Sequence, residues 1–585
     1  MGLAKDKLFV LIGIMLALFL SALDQTIVAT ALPQIVEDLH GVNKYAWVAT
    51  AYLVASTTLV PVYGKMADIY SRKKIEISSV FIFLSGSFLC GMAGEFGNLP
   101  ILGDGMNQLI VFRAIQGLGS AGLFSMAFVI IADLFPPAER GKYQGFIGAV
   151  FGISSILGPW LGGLLTDYGG NIIPGIAGWR WVFYVNVPFG IIALWFLFTK
   201  LPLLKPEAST KKINYFSVLL LIVGLAPLVI ALQMDKVAYA WTAPITLSLI
   251  GISLLSLTAF VLVSLKSKNP VLDFALFKNK IFSTCNLSLF FIGAVFFSII
   301  IFIPLYMINV LGISATKAGI SLIPLSLGLV TSSIVSGQLV SRFGHYKRWM
   351  LGGVLLLIVG VFLLSSLSLS TTYLQVLVYM TICGLGIGPS MPLYTLAIQN
   401  AVDPREIGQA TSASQFFRQI GASLGIAILG TVLAYSLTMS FSQHLKHLPS
   451  GITLESLGTS TSKILANGGS QIREKLFAEA AKELSSIKMG NTQKAYPLLP
   501  KQLSTKLAQG GQSINPAVLE EAIHQNVENV YAKVASDIKV AFNAAISKIY
   551  YYSLFIAVLA FLSTLFVPEI PLRKSNEYST LHVEI

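Results

Sequence analysis

Leu23-Asp24-Gln25-Thr26-Ile27-Val28-Ala29-Thr30-Ala31-Leu32-Pro33 closes the first apolar stretch of the chain, which opens at Leu8. That stretch can cross a bilayer, for which about 20 apolar residues suffice. Asp24 lies deep inside it. An ionisable side chain at such depth costs about 3 kcal/mol or more, and is kept mainly where a pathway or a proton-linked event uses it. Asp24 reads as the only carboxylate deep in a membrane-length segment, and as a protonation switch in a transporter.

Working outward, apolar runs of similar length recur at 46–64, 75–93, 107–134, 142–165, 182–199, 213–234, 243–265, 282–309, 316–340, 349–368, 373–398, 411–436 and 549–567. With the first stretch this predicts 14 transmembrane helices. The composition agrees, since 55% of the 585 residues are hydrophobic and 11% charged, with a mean hydropathy of +0.74. These values exclude a string of soluble domains and predict an all-α integral membrane protein.

The net charge of +13 does not point to nucleic acid, because the basic residues alternate with the loops as membrane topology requires. Arg72, Lys73 and Lys74 fill the second loop, Arg140 and Lys142 the fourth, and Lys200, Lys205, Lys211 and Lys212 the sixth. Lys266, Lys268, Lys278 and Lys280 follow in the eighth, and Arg342, Lys347 and Arg348 in the tenth. Both termini are therefore expected to be cytoplasmic, in a multi-pass protein of the plasma or inner membrane. Lys5 and Lys7 before an apolar core, with Ala29-Thr30-Ala31, resemble a signal peptide, but cleavage there would remove Asp24 and leave an odd number of spans. Cys90, Cys285 and Cys383 all fall in apolar runs and read as core residues, not as a disulfide framework.

The fourth span carries Arg113, Gln116, Gly117 and Ser120 on one helical face. Counting from the helix ends, Asp24 and Arg113 differ in level by about 6 Å, so they can pair. Gly117-Leu-Gly119-Ser-Ala-Gly122 matches the dinucleotide-binding glycine pattern in letters only, having no preceding strand and no soluble βαβ unit. Close helix packing explains these glycines better. The fifth span has Gly148, Gly152, Gly158, Pro159, Gly162 and Gly163, a small-residue face with a proline kink.

An internal repeat relates the halves. Gly337 through Arg348 echoes the loop opened by Gly64 at an offset of 273, while Gly408 echoes Gly141 and Gly425 echoes Gly158 at 267. Neither Asp24 nor Arg113 has a charged counterpart in the second half. Residues 437–548 are a long polar segment with amphipathic helices at Gln471–Ile487 and Pro516–Ile549, expected to be a structured cap, or else a lid or docking surface. His444-x-x-His447 is too sparse for a metal site. No P-loop, metal spacing or nucleophile with a base points to an enzyme.

Taken together, Leu23-Asp24-x-Thr26-Ile27-Val28-x-x-Ala31-Leu32-Pro33, the Gly64–Lys74 loop, Arg113-x-x-Gln116-Gly117-x-Gly119 and Gly158-Pro159-x-x-Gly162-Gly163 resemble, in order, motifs of the major facilitator superfamily. The resemblance is to its 14-helix drug:proton antiporter branch. It covers residues 5 to about 436 and returns over 549–573, where Val567–Arg573 looks typical. Ile69 and Ser71 replace the usual Arg and Gly of the loop motif, and Ser341 stands where its second copy could hold an acid.

The resemblance implies two six-helix bundles that rock to give alternating access, at 1–200 and at 269–436 with 549–567. A two-helix insertion would occupy 201–268, an extracytoplasmic segment 437–548, and a cytoplasmic tail 568–585. It implies outward export of lipophilic or cationic small molecules against inward proton flow, with Asp24 the carrier and Arg113 its partner. Gln25, Thr26, Tyr52, Gln116, Asn186, Tyr394 and Gln415 are the candidate cavity residues. Gly64, Asp68, Arg72, Arg140, Gly337 and Arg342 are the candidate gate, and Gly117, Gly158, Pro159 and Gly162 the candidate hinge or packing positions.

No cofactor or metal is expected, the proton gradient being the energy source. A monomer in the bilayer is expected, with the 437–548 segment available to a partner. The rival readings are an exporter or flippase of lipids or lipid-linked envelope components, and a scaffold or receptor acting through 437–548.

Overall fold

The structure, a computed structural model, describes residues 2–41, 44–100, 102–173, 175–202, 213–234, 239–267, 269–444, 474, 476–482, 485, 498 and 516–574. His447 and most of the polar segment lie outside these residues. Helices dominate because the chain is apolar almost throughout and a backbone in lipid must satisfy its own polar groups. Thirteen helical segments among the described residues are long and apolar enough to cross a membrane. Tyr45–Ile69, with Ser56, Thr57 and Thr58 at its middle, packs among them as a further long helix.

The amino-terminal bundle comprises α1 (Gly2–Asp38), α2 (Tyr45–Ile69), α3 (Arg72–Gly91), α4 (Gly105–Leu134), α5 (Pro137–Tyr168), the short α6 (Trp181–Tyr184) and α7 (Asn186–Lys200). Next come α8 (Tyr215–Gln233) and α9 (Pro244–Lys266), which pack on each other. Leu221, Leu225 and Phe260 join them to Val62 of α2.

The second bundle comprises α10 (Lys280–Asn309), α11 (Ala315–Ile320), α12 (Ile323–Phe343), α13 (Tyr346–Ser365), α14 (Tyr373–Ile387), α15 (Ser390–Ala401), α16 (Ile407–His444) and α17 (Pro516–Leu565). Local chemistry sets the ends. Asn279 accepts from Ile281 N (2.9 Å) and Phe282 N (3.3 Å) to start α10. Thr372 and Gln375 form a capping box at α14. α14 gives way to α15 at Gly388-Pro389, where proline cannot continue the backbone hydrogen bonding.

α17 differs from the expected division at Ile549. It runs unbroken for 50 residues, about 75 Å at 1.5 Å per residue, against a hydrocarbon core of about 30 Å. No glycine or proline follows Pro516 before its end at Leu565, so nothing interrupts the helix where its polarity changes. Its extra turns carry a stripe of Leu519, Ile523, Val527, Val534 and Ile538 that joins the core with Leu433 and Leu437 of α16.

The two bundles meet mainly through α5 on α12 and α2 on α16. We call the face that carries the Gly64–Lys74 loop and the carboxy-terminal tail the basic face, and the opposite one the distal face.

Candidate functional site

Asp24 is fully buried in the amino-terminal bundle. Arg113 Nη1 donates to its Oδ2 at 2.5 Å, and Gln116 Nε2 donates to its Oδ1 at 2.9 Å. α4 presents both donors because Arg113 and Gln116 are one turn apart. Arg113 is itself held on several sides. Its Nε donates to Val48 O (3.3 Å), its Nη1 also donates to Gln116 Oε1 (2.8 Å), and its guanidinium lies 4.3 Å from the Tyr52 ring centroid. The pairing that the spacing allows is therefore made.

Tyr52 continues this network. Its hydroxyl donates to Ser120 Oγ at 2.7 Å, and Ser120 Oγ lies 2.5 Å from Ser21 Oγ. α1, α2 and α4 are thus tied by one polar cluster with Asp24 at its centre. An ion pair this deep is strongly interdependent, since removing one partner strands the other charge at a cost of about 3–5 kcal/mol.

The other candidate cavity residues divide. Gln415 accepts from Arg418 Nη2 at 2.8 Å, and Arg418 lies 5.6 Å from the Phe124 ring centroid of the opposite bundle. Gln25 is half-buried. Asn186 and Tyr394 are instead committed to contacts within their own bundles. Asn186 Nδ2 donates to Ser87 Oγ (3.0 Å), and the Tyr394 hydroxyl pairs with Thr564 Oγ1 (2.6 Å). Thr26 donates to Ser154 O at 3.0 Å in the α1–α5 seam. Polarity inside a span marked these three residues without revealing which neighbour they serve.

On the basic face the repeat becomes an interlock. Gly64 of α2 lies against Gly408 of α16, and Gly141 of α5 against Gly337 of α12. A Cβ on Gly64 would stand 2.7 Å from Gly408 O, and one on Gly141 2.9 Å from Gly337 O. Asp68 Oδ1 and Oδ2 accept from Gly408 N (2.8 Å) and Gln409 N (2.9 Å), capping α16 at its positive end. At the repeat offset the same task falls to Ser341, whose Oγ accepts from Lys142 N at 3.1 Å. One crossing is latched by a charge and the other by a hydroxyl. Between them Gln144 Nε2 donates to Gln399 Oε1 at 2.8 Å.

Arg72 pairs with Asp133 (3.0 Å) inside the amino-terminal bundle. Arg140 donates to Phe135 O (2.9 Å) and Ala132 O (2.8 Å), closing the end of α4. Arg342 is a correction, because it is exposed and lies over Phe343 while its neighbour Ser341 makes the bundle contact. Gly117 packs on Tyr52 O of α2.

Of the candidate hinge or packing positions on α5, none lies between the bundles. Gly158 and Gly162 face Thr26, Ile27 and Thr30 of α1, in their own bundle, and α5 continues through Pro159. Gly141, Gly145, Gly148 and Gly152 are the positions that face α12.

Two features escaped the sequence reading. Arg573, in the tail, donates from Nη2 to Gln399 O and Val402 O, both at 3.1 Å. These carbonyls stand 267 residues beyond Ala132 and Phe135, so the tail supplies in the second half what Arg140 supplies in the first. The repeat position of Arg140 is Ile407, which signals the vacancy. The tail also crosses between bundles, since Ala138 N donates to Arg573 O at 3.1 Å. The second feature is Glu76 on α3, as fully buried as Asp24, so Asp24 is not the only carboxylate enclosed within a membrane-length helix.

A sequence model described as Major Facilitator Superfamily matches residues 14–426. The chain is 39% identical over 434 residues to the multidrug transporter protein MdtP of Bacillus subtilis, covering 74% of this chain and 76% of that protein. It is 39% identical over 426 residues to multidrug resistance protein 3 of the same organism, covering 72% and 79%. A rubrofusarin-specific efflux pump, aurT of Gibberella zeae, is 29% identical over 482 residues, covering 81% and 83%. In fold the chain is similar to the crystal structure of a bacterial homolog of the human lysosomal transporter Spinster, with a TM-score of 0.52 and 16% identity over 98% of this chain and 99% of that one.

Proposed function

The chain belongs to the major facilitator superfamily, and from that premise we propose that it is a proton-coupled exporter of lipophilic or cationic small molecules. The observation that carries this reading is the buried Asp24–Arg113–Gln116 cluster on α1 and α4. Relatives named as multidrug transporters support the substrate class.

In this conformation Asp24 is sealed by its partners. A proton reaching Asp24 Oδ2 must displace Arg113, and a cationic substrate would compete for the same oxygen. Arg113 then keeps Val48 O, Gln116 Oε1 and the Tyr52 ring, which lower the cost of parting from the carboxylate. Proton and substrate therefore exclude one another at one acid, the requirement for antiport.

Access to Asp24 changes when the bundles rock. The basic face, taken as cytoplasmic from its lysines and arginines, is shut here by the Asp68 and Ser341 contacts. The protein would reside in the plasma or inner membrane with both termini inside, and work as a monomer without a cofactor.

The test uses the full chain in vesicles with ethidium as the probe. An imposed proton gradient should drive ethidium uphill, and ethidium flux should carry protons the other way. Equal ethidium accumulation with and without the gradient would refute the reading.

A further inference from the structure

Glu76 is the fifth residue of α3 and has no exposed surface. Neither Oε1 nor Oε2 has a hydrogen-bond partner. An ionised carboxylate stripped of every donor costs several kcal/mol, whereas its acid form costs far less. A buried acid so placed calls for a reason beyond packing.

Its surroundings supply one. α3 and α4 run antiparallel, with Arg72 paired to Asp133 and Ser79 beside Gly122. That register sets Glu76 level with the turn of α4 around Ser125, whose hydroxyl is likewise unpartnered. On its own helix Arg72 lies one turn toward the basic face, four residues away and on the same side.

The charged and titratable groups around it can be named element by element. α2 brings Tyr63, and at its end Lys65 and the gate residue Asp68. α4 brings Asp133, beside Arg140 of α5. α7 has only Lys200, at its last residue, and α6 only Tyr184. Arg180 and Glu95 pair at the distal end of the bundle.

We propose that Glu76 is a second proton-binding site of the transport cycle, protonated while the basic-face gate is shut and emptied when it opens. Opening frees Asp68 from Gly408 and Gln409, and water then reaches the ends of α2 and α3. Glu76 gives its proton to that water, and Arg72 turns from Asp133 to the new carboxylate one helical turn away. No electrons move; Arg72 then balances the charge left on Glu76, while Asp133 keeps the neighbouring Arg140 as its counter-charge. This inference rests on the proton-coupled reading above and adds one proton to each cycle.

Infrared spectroscopy of the full-length protein in nanodiscs tests the site itself. At neutral pH the wild type should show the carbonyl stretch of a buried carboxylic acid. E76Q should lose that band and D24N should keep it. D68A, which weakens the gate, should reduce it.

In vesicles, the number of protons exchanged per ethidium should fall by about one in E76Q. E76D retains a carboxyl group and should keep both signals, guarding against a glutamine variant that does not fold. A band unchanged by E76Q, or a coupling ratio equal to wild type in E76Q, would overturn the proposal. A wild type that moves no protons would overturn the coupling role together with the transport reading. Loss of the band in E76Q would then still mark a neutral buried acid.

Discussion

Removing the charged latch at Asp68 should open the basic face far more than removing its neutral counterpart at Ser341. Asp68 accepts two backbone hydrogen bonds from α16, at 2.8 and 2.9 Å, and a hydrogen bond to a charged group is worth about 1.5 kcal/mol or more. Asp68→Ala therefore destabilises the closed face by about 3 kcal/mol, which at 1.4 kcal/mol per decade shifts the open-to-closed ratio about 100-fold. Asp68→Asn keeps a neutral acceptor and should shift it about tenfold. Ser341→Ala removes one neutral hydrogen bond, about 1 kcal/mol, for a shift of about fivefold.

The assay is pulsed electron spin resonance between labels at Lys74 and Arg342, exposed positions on opposite bundles. Cys90, Cys285 and Cys383 are buried, so the added cysteines are the accessible ones. The long-distance population should grow in the order Ser341→Ala, Asp68→Asn, Asp68→Ala. Equal growth for Ser341→Ala and Asp68→Ala would refute the claim that charge makes the two latches unequal.

Adjacent glycines on α5 should respond oppositely to alanine. Gly162→Ala drives a Cβ to 2.7 Å from Ile27 O and should cost about 1–3 kcal/mol of thermal stability in detergent. Gly163→Ala meets nothing within 4 Å and should be neutral or stabilising by up to about 1 kcal/mol. Arg573→Ala strands Gln399 O and Val402 O and should lower the melting temperature, whereas truncation after Lys574 should not; an equal loss from both would contradict the role given to Arg573. At the distal face, the Lys44 ammonium at 2.8 Å holds the Asp104 carboxyl below its usual range. A carboxyl lowered on folding adds stability above its unfolded value near pH 4, lost as pH falls through the folded one. Asp104→Asn should therefore matter slightly at neutral pH and low salt, and not at all in strong acid, as melting curves across pH would report.

The sequence made the helices, the two bundles and the Asp24–Arg113 pairing legible because each depends on spacing along a single segment or between two adjacent levels. Direction around a helix was harder to read. The spacing of small residues on α5 announced close packing, yet only the structure divides them between α12, at Gly141 to Gly152, and α1, at Gly158 and Gly162. Ser341 gives no such signal, because a hydroxyl makes the contact where the first copy of the motif has an acid.

Glu76 was hidden by its place in the first turns of a span that follows a basic loop, where a carboxylate is ordinarily at the water interface. Arg573 was hidden by distance along the chain, since it meets carbonyls more than 170 residues earlier. The boundary at Ile549 follows a change in polarity. The backbone, lacking glycine or proline there, ignores that change.

On the proposed function, exchange of a proton at Asp24 drives export. Gradient-driven ethidium accumulation by Asp24→Asn in vesicles, compared with wild type at matched protein content, tests it most directly. Uphill accumulation is expected to disappear while downhill ethidium movement persists in a folded protein. Uphill accumulation equal to that of the wild type would contradict it.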